Sequence, residues 1–173
     1  MRNADSCSRT SVGAIVFVAA LVFPNPSPAA TGPLAGKMDA FNYFIGGAWK
    51  CTTKAPAVGK LPASTRQGAN VFSVAPGNTL HSRVSAPGYS RDRYYGYNDR
   101  SKLYWSASVD NQGSYGYATS ADGATYTASS FVGGMSGSIK LRNAIAKVNS
   151  NEFTSEEVLL GGPKMVVDTV CTR

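Results

Sequence analysis

The chain has 173 residues, with 17 Lys and Arg against ten Asp and Glu, one His and three Cys. Hydrophobic residues make up 43% and charged residues 16%, which excludes a disordered chain or a coiled coil, and the length excludes two ordinary domains once a leader is removed. Abundant Gly and Tyr argue for strands and turns rather than helices, and a single His leaves little for a His-rich metal site or for acid–base catalysis.

Residues 1–30 read as a cleaved secretory signal peptide. Arg2 and Arg9 precede an uncharged run from Val12 to Phe23, Pro24 and Pro26 break it, and Ser27 to Ala30 supply small residues for cleavage. A membrane span needs about twenty apolar residues, so the run is too short for an anchor, although an uncleaved tether stays open. Cys7 precedes the apolar core and leaves with the leader. Arg2, Arg9 and Asp5 leave too, so 15 basic and nine acidic side chains remain, a net +6. That excess favours anionic partners or simply maintains solubility. The expected location is periplasmic or secreted, which makes nucleic acid a poor partner.

Residues 31–36 form a small-residue linker, and residues 37–173 a single domain. Lys37 to Ile45, with Phe41, Phe44 and Ile45 at helical spacing, predicts one or two helical turns closing a barrel end. From Trp49 onward strand patterns alternate with turns. Thr79–Ser85 alternates apolar and polar. Ser90–Tyr97, the turn cluster Asn98-Asp99-Arg100-Ser101 and Lys102–Val109 read as a hairpin, with Leu103, Trp105, Ala107 and Val109 on one face and Tyr104, Ser106 and Ser108 on the other. Asp110-Asn111-Gln112-Gly113 and Ala121-Asp122-Gly123 turn into Ser114–Thr119 and Ala124–Ser130, Asp-Gly being a strong hairpin signal. Ser136–Arg142, Ala144–Val148, Glu152–Leu160 and Lys164–Thr172 complete the series.

Cys51 and Cys171 remain in the mature chain, one near each end. In an oxidising compartment such a pair is expected to bridge, with two buried free thiols as the alternative. A loop of about 120 residues corresponds to roughly 5 kcal/mol in chain-entropy terms, with about 2–4 usually realised. Bridged Cα atoms lie within about 7 Å, so the first and last strands would be neighbours. In an antiparallel meander that means a closed barrel.

Phe41 to Cys51, containing Gly47-Ala48-Trp49, resembles the opening of lipocalin-like barrels, where a short helix leads into Gly-x-Trp on the first strand. Tyr95-Gly96-Tyr97-Asn98, Tyr104-Trp105 and Asp110 to Gly113 resemble the middle of an uncharacterised bacterial calycin-like family. Val170-Cys171-Thr172-Arg173 resembles the end of exported members whose terminal Cys pairs with the Trp-x-Cys of strand one. The resemblance implies an all-β, antiparallel up-and-down barrel of about ten strands with a short N-terminal helix. It also implies a cup whose inner wall holds an apolar ligand, unless bulky Trp and Tyr fill it. A fold of this kind serves carriers, inhibitors and a few enzymes alike.

Some haem-binding barrels share the Gly-x-Trp opening and use a late histidine on the iron. Here no His follows His81, so neither haem nor any other cofactor is expected, and His81 reads as a polar wall residue. Gly134-Met135-Ser136-Gly137 is not a Gly-x-Ser-x-Gly elbow. Glu156 and Glu157 are adjacent on a strand, so they point to opposite faces and cannot act as a glycosidase pair. No zinc, calcium or Walker spacing is present. Arg91, Arg93, Tyr95 and Tyr97 alternate onto one face, and arginines beside aromatics suit an anionic head on an apolar body. Arg83 and Trp105 complete the candidate ligand-binding set, with a solvated outer face as the bland alternative; Trp49 reads as core. The expected function is non-enzymatic binding of a small hydrophobic or amphiphilic ligand, anionic ones included, by a monomer with no integral membrane span in its mature form. The alternative is a protein-interaction or inhibitor module with a packed interior.

Overall fold

The computed structural model describes residues 32–57, 62–133, 137–162 and 165–173; the leader segment and Gly134-Met135-Ser136 lie outside the described residues. Ten strands follow one 3₁₀ helix, η1 (Gly36–Phe44): β1 (Ala48–Ala55), β2 (Ser64–Ala75), β3 (Thr79–Ala86), β4 (Tyr89–Asn98), β5 (Leu103–Asp110), β6 (Tyr115–Ser120), β7 (Thr125–Phe131), β8 (Ser138–Asn149), β9 (Glu152–Leu160) and β10 (Val166–Thr172). Each strand pairs antiparallel with its sequence neighbours, and β10 returns to pair with β1, so the sheet is a closed barrel. Closure leaves no unpaired edge.

The closing ladder sets Cys51 directly opposite Cys171. Their Cα atoms are 4.1 Å apart and the sulfurs are bonded at 2.01 Å, so the expected disulfide is present and the free-thiol alternative falls away. Beside it, the Thr53 and Thr169 hydroxyls meet at 2.9 Å across the same seam.

One expectation is corrected. Of the strands expected at Ser136–Arg142 and Ala144–Val148, the described residues from Ser138 onward form one strand, β8, because Asn143 turns its polar side chain inward without breaking the ladder to β9. Strand β2 carries no clear apolar alternation. Its inward positions are Ser64, Arg66, Gly68 and Asn70 before Phe72, and its pairing with β1 and β3 holds it in the sheet.

One end of the barrel is sealed by η1. Phe41 and Phe44 are buried, and Phe44 stacks on Phe72 at 5.0 Å and meets Phe153 edge-on at 5.1 Å. Trp49, fully buried, meets Phe153 at 4.9 Å and donates its indole N–H to the Phe44 carbonyl at 2.8 Å. Burial of each such side chain contributes about 1.5–3 kcal/mol. The segment read as a linker is pinned here as well. Leu34 is buried, and its N–H and C=O pair with the Asn42 amide, both at 2.8 Å. The Asn78 amide does the same for Ala35, at 2.9 and 3.0 Å. Two side-chain amides thus stand in for a backbone partner along the approach to the plug.

Candidate functional site: a divided lumen

Side chains alternate in and out along every strand, and the inward rows enclose two adjoining cavities. The larger, about 390 Å³, is walled by β1–β4, β9 and β10 together with η1. Its plug end is apolar, formed by Phe41, Phe44, Phe72, Leu80 and Phe153. The smaller, about 230 Å³, is walled mainly by β4–β9, where Ser106, Ser108, Ser130, Tyr126 and Asn143 stand among apolar side chains such as Ile139 and Leu141.

Four residues border both cavities, Val167 on β10 and three charged ones on opposite walls: Arg91 and Arg93 on β4, and Glu157 on β9. In the ring of ten strands β4 and β9 stand opposite each other, with four strands between them on either side. The ion pairs therefore span the lumen as a strut. Arg93 Nη2 reaches Glu157 Oε1 at 3.3 Å and Arg91 Nη1 reaches the same oxygen at 3.7 Å. Asn143 donates from Nδ2 to that oxygen at 3.3 Å and to Ser155 at 3.2 Å. Arg93 also donates to the Tyr95 hydroxyl at 3.4 Å. Two guanidinium charges face one carboxylate, which leaves the strut with a net positive charge.

The titration behaviour follows from this packing. Burial pushes the Glu157 carboxyl upward, but the Arg91 and Arg93 charges outweigh it and hold the group below the ordinary carboxylate range. Burial lowers Arg93, and Tyr95 and Glu157 more than compensate, so its pKa lies above the usual arginine value. Desolvation raises Tyr126 and Tyr89. Every one of these shifts moves its group away from neutrality, so each is locked in its ordinary protonation state. General acid–base chemistry needs a group poised near the working pH, and these four are the reverse.

The structure brings together Arg91, Arg93 and Tyr95 on the cavity wall. Tyr97 shares their face but lies toward the plug, edge-on to Tyr104 at 5.0 Å and outside the cavity lining. Arg83 and Trp105 are not brought in. Arg83 is exposed on the outer wall between the inward Ser82 and Val84. Trp105 lies outside too, across Gly96, where a Cβ atom would stand 2.5 Å from the ring. Strand β5 thus turns its serines inward and its apolar row outward. His81 is on the outer wall, 2.7 Å from Asp92 and stacked on Tyr94 at 4.7 Å. Glu156 and Glu157 do face opposite ways: Glu156 pairs with Arg142 outside at 3.0 Å.

Glu157, Tyr126 and Asn143 were not among the sequence candidates. The alternation Phe153, Ser155, Glu157 is the signal that places Glu157 on the same inward face as the buried Phe153.

Among the described residues no three His, Cys, Asp or Glu gather to hold a metal, and no helix is long and apolar enough to cross a membrane. No protein-family model matches the sequence, and no curated protein matches it either.

Proposed function

We propose that this chain is an exported, non-enzymatic barrel of the calycin or lipocalin-like kind that binds a small hydrophobic or amphiphilic ligand in its lumen. The observation that carries this reading is the open 390 Å³ lobe, apolar at its plug end and bordered by Arg91 and Arg93. Ligand sites are concave, mostly apolar and orient their guest with a few placed polar groups. Gly47-Ala48-Trp49 behind η1 supports the assignment to the family, and the disulfide supports an oxidising compartment such as the periplasm or the exterior. The direction of the lumen shifts favours binding over catalysis.

Native mass spectrometry of the chain purified from its own host tests the reading. A co-purified small molecule is the expected result. A clean apo mass together with no response to a panel of lipids and amphiphiles overturns it.

A second reading has its own observation. Val109, Tyr115 and Phe131 sit opposite one another across β5, β6 and β7, all largely exposed, with Tyr115 stacked on Phe131 at 4.8 Å. An apolar row of this kind suits a contact surface for another macromolecule. The two adjoining cavities weigh against the packed interior that the interaction-module alternative supposes.

A further inference from the structure

Three buried side-chain atoms lack a hydrogen-bond partner among the described residues: Arg91 Nε, Tyr126 Oη and Asn143 Oδ1. All three residues line the smaller lobe. Tyr126 is 1% exposed and Asn143 5%, and a buried polar atom left unpaired costs about 1–3 kcal/mol. Tyr126 and Asn143 are direct partners across β7 and β8. Asn143 and Arg91 both reach toward Glu157 Oε1, so amide and guanidinium are neighbours around one atom. The amide orientation is fixed chemically. Glu157 is ionised and can only accept, so Nδ2 must face it and Oδ1 must face away.

We propose, building on the ligand-binding reading above, that the smaller lobe seats a hydroxycarboxylate head group whose apolar remainder extends past the strut into the larger lobe. The three open valences specify the head. Arg91 Nε–H needs an acceptor and sits in a cluster with surplus positive charge, which selects an anion. Tyr126 O–H donates to a second oxygen. Asn143 Oδ1 needs a donor, which a carboxylate lacks and a hydroxyl next to it supplies. A plain fatty acid answers two of the three groups and a neutral alcohol leaves the charge unanswered, whereas a 2-hydroxy acid answers all three. Sites built to hydrogen-bond a substrate hydroxyl discriminate strongly against analogues without it.

The test is a ladder of three probes on the full chain by isothermal titration: dodecanol, dodecanoate and 2-hydroxydodecanoate. Affinity is expected to rise at each step, by about tenfold for the carboxylate and by several-fold again for the hydroxyl. R91Q is expected to abolish the first step, and E157Q to strengthen carboxylate binding by removing the competing charge. A purely structural strut would show no such gain. N143L is expected to shrink the second step, read as the ratio between the two acids, so that general damage cancels. The unsubstituted chain decides by itself if a variant does not fold. Equal affinity for all three probes overturns the head-group assignment and leaves the lumen as a binding site. Equal affinity for the two acids also overturns it, since no donor is then being read. Binding of none of the probes, together with a clean native mass, overturns the lumen reading and this inference with it.

Discussion

The Arg173 guanidinium lies 4.5 Å from the centre of the Trp49 ring, so a residue just beyond β10 covers the tryptophan at the start of β1. The same guanidinium donates to the carbonyls of Ile45 and Ser150 at 3.2 and 3.1 Å. One side chain thereby ties η1, the β8–β9 turn and the barrel base together.

Removing that clamp with R173A is expected to destabilise the fold by about 1–2 kcal/mol, from cation–π contacts to Trp49 and Tyr43 and two charge-assisted hydrogen bonds at the surface. Thermal denaturation followed by far-UV circular dichroism should show Tm lower by about 3–6 °C. An unchanged Tm would mean that the contact adds nothing to the plug.

Loss of the seam disulfide is expected to cost about 2–4 kcal/mol. The C51S/C171S double variant should melt lower than the unsubstituted chain under oxidising conditions, and reductant should bring the unsubstituted chain down to the same level. A variant that still responds to reductant would place the effect elsewhere.

The Glu157 carboxyl has a folded-state pKa below its unfolded value. Its contribution is therefore complete above the ordinary carboxylate range and is lost as pH falls through the folded value. Tm is expected to be flat from about pH 7 to 5 and to drop below about pH 4, with a shallower drop in E157Q. Asp122, held low chiefly by the Thr125 N–H together with the Ser120 hydroxyl and the Ala124 N–H, titrates in the same direction and leaves a residual slope. Identical acid limbs for the two proteins would contradict the strut.

Gly96 stands directly opposite Trp105, whose ring would meet any added Cβ. G96A is expected to push the indole outward, giving a red-shifted tryptophan emission and a stability loss of about 1–3 kcal/mol. The only other tryptophan, Trp49, is fully buried and is not among the atoms an added Cβ would meet, so the emission change reports Trp105. An unaltered spectrum would show that the ring does not lie across the glycine.

Much of this architecture was readable from residue order. The turns at Asn98–Ser101, Asp110–Gly113 and Ala121–Gly123 are marked by residues that supply turn backbones and side-chain caps: Asp110 accepts from Gln112 and Ser114, and Asp122 from Ala124 and Thr125. The cysteine pair indicated closure because a bridge constrains geometry whatever the strands do. What misplaced Trp105 was the parity of β5. Along β5 the row Leu103, Trp105, Ala107, Val109 is the conspicuous apolar face, yet Ser106 and Ser108 line the lumen. In a barrel holding a charged strut the interior is partly polar, so hydrophobicity does not fix which parity points in. Strand β2 was obscured for the same reason, through Arg66 and Asn70. The opposition of β4 and β9 depends on strand count and closure, which no local pattern encodes, and so Glu157 could not be matched to Arg91 and Arg93 beforehand.

Nine of the ten ladders zip neighbours along the polypeptide; the tenth unites the first strand with the last. Hairpins can form early and cheaply, but the vessel exists only after that final, entropically demanding encounter. Until then Arg91 and Glu157 sit on separate flaps of an open sheet. The capacity to hold a guest therefore arrives late and all at once, so a nascent or clipped chain would keep most of its secondary structure while having no inside.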